Sequence, residues 1–278
     1  MTDLAATKAA LQRSIAAIET ARSHPSMTAA GDGRIGFGVS EIDACLGGGL
    51  VRNGLHELRC KASRDVACLY GLAFALLSRE RPSAPILWLR DTSALIDGGR
   101  VFPDGMKSFG VAAGRLVHVR PIHLRDTLWA AGEAVRTAGL GAVILHVRGN
   151  PKALDLSVSR KLTMRAKESG VPLFLLRQEG VEEASSAATR WCVEPAISAP
   201  HDHFARSLGP MSLTLQLERN RNGETGRWKV AWNPQTRSLE HVEYGVASTH
   251  PRLPSAASAG RTDRADALGR IVALDRAS

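Results

Sequence analysis

Short apolar runs alternate with longer amphipathic stretches through the middle of the chain. The apolar runs lack a helical period and predict buried strands at residues 54–58, 85–90, 115–119, 141–147 and 171–177. The stretches at residues 63–80, 123–139 and 155–170 have the apolar spacing of helices. Strands that alternate with helices predict an α/β fold with a mainly parallel sheet that has helices on both faces.

A different pattern follows Arg177. The segments TRWCVE (189–194), SLTLQLER (212–219) and GRWKVAWN (226–233) alternate apolar and polar residues without intervening helices. Such segments predict strands that extend the sheet with antiparallel partners. The turn-forming residues between Asn220 and Thr225 predict the tip of a hairpin that joins the last two segments.

Both ends of the chain differ from this core. Residues 1–34 are predicted to form an amphipathic helix and a linker, and the helix has an apolar face of Leu4, Leu11, Ile15 and Ile18. This face is a candidate partner-binding surface, although packing on the chain's own core is an equal alternative. The core is predicted at residues 35–245. Residues 246–278 are poor in aromatics and are predicted to be a disordered basic tail, with a short docking helix near its end.

Composition limits the class of protein. The 278 residues are 44% apolar, which is enough for a sizeable buried core, and the net charge of +9 favours polyanionic partners. The four cysteines form no CxxC pair, and HDH at 201–203 lacks further ligands at a useful spacing, so no metal site is predicted. No apolar stretch is long enough to span a membrane or has the pattern of a signal peptide. We therefore predict a cytoplasmic protein without a membrane partner.

Two motifs suggest a family. Residues 37–58, FGVSEIDACLGGGLVRNGLHEL, resemble the entry to the RecA recombinase core, and residues 217–228, LERNRNGETGRW, resemble the hairpin that closes it. The segment between them, HELRCKASRDVACLYGL (56–72), has the strand, turn and helix of a P-loop. The resemblance therefore implies a RecA-like core over residues 35–245.

The chemistry of a P-loop is missing from this turn. The pattern G-x-x-x-x-G-K-[ST] uses glycines for close backbone approach, a lysine for the phosphates and a hydroxyl for Mg²⁺. Its defining positions are taken here by Cys60, Asp65, Val66 and Ala67. We predict a degenerate loop without a nucleotide cofactor, in which the Asp65 carboxylate satisfies the free N–H groups of the following helix.

Three further RecA-type positions bear on this prediction. His146 stands where the resemblance implies a Mg²⁺-binding Asp, and imidazole is a poor ligand for Mg²⁺. Asp91 and Gln178 correspond to the catalytic Glu and the phosphate-sensing Gln. Without a phosphate we assign these two residues structural roles, with Asp91 as a capping or turn residue.

Among RecA-like chains without a P-loop, this one most resembles the ImuA-type damage-inducible mutagenesis proteins. The resemblance rests on GVSEIDACLGGGL (38–50), GVPLFLLR (170–177) and RNRNGETGRWKVAW (219–232). It implies a non-catalytic accessory protein of SOS-induced translesion synthesis. The implied partners are ImuB, a Y-family polymerase homologue, and, indirectly, an error-prone C-family DNA polymerase. It also implies association with the nucleoid after damage.

The sequence leaves several alternatives open. One is a RecA-family ATPase or recombination mediator with a non-standard nucleotide site, and another is a SulA-like cell-division inhibitor. DNA, RecA and a second copy of the chain remain open as partners. Candidate DNA-binding residues lie on the late hairpin: Arg219, Arg221, Arg227 and Lys229. The basic residues of the helix at 155–170 are more simply explained as a solvated face, and the five tryptophans as mostly buried strand residues.

Overall fold

The computed structural model describes residues 33–198, 209–221 and 223–242. The predicted N-terminal apolar face of Leu4, Leu11, Ile15 and Ile18, the HDH segment and the C-terminal tail lie outside these residues. Within them, no helix is long and apolar enough to cross a membrane.

A nine-stranded sheet forms the centre of the molecule. Its strands are β3 (Leu55–Arg59), β4 (Ile86–Arg90), β5 (Leu116–Val119), β6 (Ala142–Arg148), β7 (Leu173–Gln178), β8 (Thr189–Pro195), β9 (Ser212–Asn220), β10 (Gly226–Asn233) and β11 (Ser238–His241). They are ordered β11-β10-β9-β8-β3-β7-β6-β4-β5. The six strands from β8 to β5 are parallel, and β9, β10 and β11 extend the sheet antiparallel. The predicted fold class is confirmed.

Helices cover both faces of this sheet. They are α1 (Ser40–Cys45), α2 (Val66–Ser78), α3 (Thr92–Gly98), α4 (Pro103–Ser108), α5 (Leu124–Val135) and α6 (Leu156–Ser169). Ile144 of β6 packs in the core beneath α2, whereas its neighbour Leu145 packs in the second core beneath α5 and α6. Successive residues of a strand point to opposite faces, so a strand buried on both faces is apolar throughout.

A small two-stranded ribbon lies before the sheet. It pairs β1 (Arg34–Ile35) with β2 (Leu50–Val51), and the glycine run at 47–49 leads into β2. Gly49 has φ +118°, and a Cβ there would lie 2.5 Å from the carbonyl oxygen of Ile35. This close approach and the positive φ both require glycine, so the run has a structural role.

The direction of β8 corrects one prediction. TRWCVE was expected as an antiparallel strand, but β8 runs parallel to β3 and antiparallel only to β9. The reason is the connection at residues 179–188. This connection first runs along α6, where the Ser186 hydroxyl is hydrogen-bonded to Ser159 and Thr163. It then reaches the start of β3, where the amide of Ala188 donates to the carbonyl of Leu55. The chain therefore re-enters the sheet in the direction of β7, without a helix in the crossover.

Candidate functional site

The turn that takes the place of a P-loop joins β3 to α2. The amide of Cys60 donates to the carbonyl of Arg177 at 3.2 Å, and Ser63–Asp65 form a single 3-10 turn before α2 begins at Val66. No residue from Cys60 to Ala67 has a positive φ. The turn therefore adopts a backbone that needs no glycine, and its amides are used partly within the turn.

Two of the altered P-loop positions are packed inside the protein. Val66, at the lysine position, and Cys60, at the first glycine, are both buried in the core beneath α2. Lys61, one of the cations of the turn, pairs with Glu194 at 2.7 Å. The lysine position thus supplies packing to the core and no charge to a phosphate.

Asp65 does not cap the helix, contrary to the prediction. It occupies the N-cap position of α2, but its side chain makes no capping hydrogen bond. The 3-10 turn continues directly into α2 and leaves Asp65 at φ −90° and ψ 2°, outside the extended backbone region that a capping residue adopts. Burial raises the pKa of the Cys60 and Cys68 thiols to about 11, and the Asp65 charge adds to this rise. Both thiols are therefore protonated and weakly nucleophilic at neutral pH.

Replacing Asp65 with alanine is expected to change the free energy of unfolding by less than about 0.5 kcal/mol, because no capping bond is lost. The matched control is Asp155→Ala. Asp155 caps α6 by accepting from the amide of Val158 at 2.8 Å, and its loss should cost about 1 kcal/mol. Urea unfolding of the two variants checks this difference. Equal losses would show that Asp65 caps α2 in solution.

The position of the Mg²⁺-binding Asp is occupied by a buried, neutral histidine. Burial lowers the pKa of His146 to about 3, and the charge of Arg90 adds to this effect. The His146 Nδ1 lies 3.5 Å from the Tyr70 hydroxyl. A Cβ added at Gly98 would lie 2.7 Å from that hydroxyl and 3.5 Å from the His146 ring, so the end of α3 closes over the pair. The imidazole thus packs against the Tyr70 ring system and supplies no carboxylate of the kind that Mg²⁺ prefers.

The other two RecA-type positions are bonded within the protein. The Gln178 amide donates to the Ser63 hydroxyl at 2.6 Å, which ties β7 to the altered turn. Asp91 is the N-cap of α3 and accepts from the amide of Ser93 at 3.3 Å. Both side chains are thus used to hold local structure.

An apolar groove borders the altered turn. It has a volume of about 380 Å³ and lies between the start of α2, at Ala67 and Cys68, and the segment Arg100–Phe102. Among the described residues, no group of three His, Cys, Asp or Glu side chains is placed to hold a metal ion.

The late hairpin has the predicted shape, and its candidate DNA-binding residues differ in environment. Arg219 and Arg221 donate to the carbonyls of Ser185 and Ser186 in the crossover segment. Arg227 lies 3.7 Å from a Glu194 carboxylate oxygen but keeps an exposed side chain, and Lys229 is also exposed. Binding of DNA by these four residues stays a prediction.

A buried ionic cluster was not predicted from the sequence. Glu57 on β3 lies between Arg177 on β7 and Arg190 on β8, at Oε1 to Nε distances of 2.9 and 3.6 Å. All three side chains are almost fully buried. They adjoin across the central strands because β3 pairs with both β7 and β8. No short motif signals such a cluster, since its members come from three separate segments.

Two surface features were also missed. The tryptophans were expected to be mostly buried strand residues, but Trp129 lies on α5 with its side chain 68% exposed beside a groove of about 420 Å³ between α5 and α6. A second cavity at the ends of β4 and β5 brings together Arg90, Arg100, His118 and Arg120. The one sequence signal for this cavity was Arg90, the last residue of the apolar run ILWLR, because a cation is rare inside a buried strand.

Comparisons with known proteins agree with the geometry. Over 209 residues the chain is 29% identical to Protein ImuA of Caulobacter vibrioides strain NA1000, and the match covers 70% of this chain and 81% of the relative. The same values hold for Protein ImuA of Caulobacter vibrioides strain ATCC 19089. The crystal structure of the RadB recombinase superposes with a TM-score of 0.50 at 14% identity, covering 75% of this chain and all of that chain. No family model matches the sequence. The predicted resemblance to a relative of this kind is confirmed, and RadB shows the fold.

Proposed function

Because this chain is a homologue of the ImuA-type proteins with a RecA-like core, we propose that it is a non-catalytic scaffold for SOS-induced mutagenesis. In this role it links ImuB, the Y-family polymerase homologue, to an error-prone C-family polymerase at damaged DNA. The similarity to ImuA and the RecA-like fold support the coarser role of a RecA-like accessory protein in mutagenesis. The bridging role is the finer part of the proposal.

One observation carries the non-catalytic part of the proposal. Three positions that would handle a phosphate in a RecA-type enzyme are bonded or packed inside the protein: Val66 in the core, Gln178 on Ser63, and His146 beneath Gly98. An ATPase needs a cation and a hydroxyl at these positions to bind MgATP. The RecA-like core is thus expected to serve as a rigid surface for other proteins.

The test is light scattering after size-exclusion chromatography of the full chain, alone and mixed with ImuB. We expect a complex with ImuB. If the N-terminal segment forms the contact, the pair Leu11→Asp and Ile15→Asp should abolish the complex, because it places two charges on the predicted apolar face. The matched control is Ala9→Asp with Ala17→Asp, which places the same charges on the opposite face of the predicted helix.

The outcomes separate the alternatives. A complex that survives both pairs of substitutions would place the contact on the core and keep the scaffold. Absence of any complex would contradict the scaffold, and calorimetry with MgATP would then examine the recombination-mediator alternative. For that alternative, binding should depend on residues 60–67. Capture of a cytoskeletal GTPase in place of ImuB would support the SulA-like alternative.

A further inference from the structure

A cavity of about 400 Å³ lies at the carboxyl ends of β4 and β5, apart from the altered turn. Arg90 forms part of its lining, Arg100 and Arg120 stand at its rim, and Phe102 supplies an apolar wall. None of residues 60–67 lines it, and the segment Arg100–Phe102 separates it from the apolar groove beside α2. The volume is that of a small-ligand pocket.

Arg90 is a buried cation that forms no ion pair with the side chains that the structure describes. It is only 3% exposed, and among the described residues no carboxylate lies within 4 Å of its guanidinium. Its Nη1 donates to the carbonyl of Gly99 at 2.6 Å and its Nη2 to the Tyr70 hydroxyl at 3.3 Å, whereas Nε has no partner. The guanidinium also lies over the Trp88 ring, 4.9 Å from its centroid. Aromatic faces offset part of the cost of burying the charge, but an anion would offset more.

The other charges around the cavity have the same sign. Arg100 and Arg120 are exposed, and neither takes part in an ion pair with a described residue. His118 stacks on Trp88, and its pKa is lowered by burial and by the charges of Arg90 and Arg120. Among the cavity-lining residues whose side chains the structure describes, none is acidic. Three guanidinium groups thus line one cavity, and such a site attracts an oxyanion.

The apolar wall of the cavity indicates which class of molecule carries the oxyanion. The Phe102 side chain is 69% exposed beside the arginines, and Pro103 follows it on the same wall. An exposed ring next to a phosphate site can stack a nucleic-acid base. We propose that this cavity binds a phosphate of single-stranded DNA, with an adjacent base stacked on Phe102. This inference goes beyond the proposed function, because a scaffold need not contact DNA.

The experiment measures fluorescence anisotropy of a labelled oligothymidylate with the full chain at several salt concentrations. We expect Arg120→Glu and Arg100→Glu each to weaken binding roughly tenfold or more, and to lower the salt slope by about one. Phe102→Ala should weaken binding without changing the slope, because stacking releases no counter-ions. The matched control is Arg160→Glu, which makes the same charge change at an exposed position on α6.

Each outcome decides the proposal. Weaker binding for the rim variants alone supports it. Equal weakening by Arg160→Glu would overturn it in favour of general electrostatic attraction, and unchanged binding in the rim variants would also overturn it. The same phosphate chemistry is present in a free nucleotide, so thymidine monophosphate is the competing probe. Displacement of the strand at equal phosphate concentration would overturn the assignment to a strand.

Two controls keep folding and the scaffold separate from DNA binding. The rim variants change exposed residues, so their thermal unfolding midpoints should match that of the unmodified chain. Their complex with ImuB should also be unchanged, so that loss of DNA binding with the complex intact is distinct from failure of the scaffold proposal. Arg90→Met, which removes the buried cation, should abolish strand binding wherever it retains the native circular dichroism spectrum.

Discussion

Replacing Glu57 with alanine is expected to lower the free energy of unfolding by about 3–5 kcal/mol. The substitution removes the carboxylate between Arg177 and Arg190 and leaves two buried guanidinium groups without their shared counter-ion. Two acidic neighbours remain: Glu182 lies 3.3 Å from Arg190, and Glu183 lies 3.7 Å from Arg177. Both belong to the exposed crossover segment, so they compensate poorly for the missing Glu57 carboxylate. Urea unfolding followed by circular dichroism measures the loss.

The matched control is Glu182→Ala. Glu182 pairs with the same Arg190, but its side chain is 69% exposed, and water screens such a pair to at most about 1 kcal/mol. We expect the control to lie close to the unmodified chain. A loss below about 1 kcal/mol for Glu57→Ala would contradict the view that this cluster holds β3, β7 and β8 together.

The position of this cluster bears on the scaffold proposal. In a nucleotide-binding enzyme, bound ligand adds stability to the fold that rises with the logarithm of its concentration over its Kd. This chain is proposed to bind none, so the ends of β3 and β7 must be held by the protein itself. The Arg59 to Glu218 ion pair, the Glu57 cluster and the Gln178 to Ser63 bond all lie there. We infer that these internal polar contacts stabilise the ends of β3 and β7 in place of a bound nucleotide.

The sequence predicted the elements whose signal is local. β6 was predicted at 141–147 and is found at 142–148, because a strand buried on both faces is an unbroken apolar run. The hairpin between β9 and β10 was predicted because Asn and Gly at its tip permit a tight turn. The short helices α3 and α4 were missed, since each is too brief to show a periodic pattern and glycines interrupt the segment between them.

Features that depend on pairing across the fold could not be predicted. The direction of β8 is set by the crossover at residues 179–188, and an alternating pattern is the same in either direction. Asp65 has the residue type and position of a cap, but the preceding 3-10 turn leaves its backbone at φ −90° and ψ 2°, outside the extended region that a capping residue adopts. The cavity around Arg90 gathers its cations from β4, from the α3 to α4 connection and from β5 and the residue after it. No linear sequence motif indicates a cluster of cations drawn from such separate segments.

Acid is expected to destabilise the protein through His146. Burial lowers the pKa of His146 to about 3, below its ordinary value near 6.5. Between these values the unfolded chain binds a proton that the folded chain does not, so stability is present above about pH 6.5 and is lost as the pH falls. The loss is about 1.4 kcal/mol per pH unit for such a group. His56, with a pKa lowered to about 4, adds a second loss of the same sign.

The variant His146→Leu isolates the first contribution. Between pH 7.5 and pH 4.5 we expect the unmodified chain to lose about 2–3 kcal/mol more than this variant, measured by urea unfolding at each pH. The control His123→Gln, at an exposed residue, should follow the unmodified chain. An equal pH dependence for His146→Leu and the unmodified chain would mean that His146 takes up its proton in the folded state. The end of α3 at Gly98 would then have to open and admit water to His146.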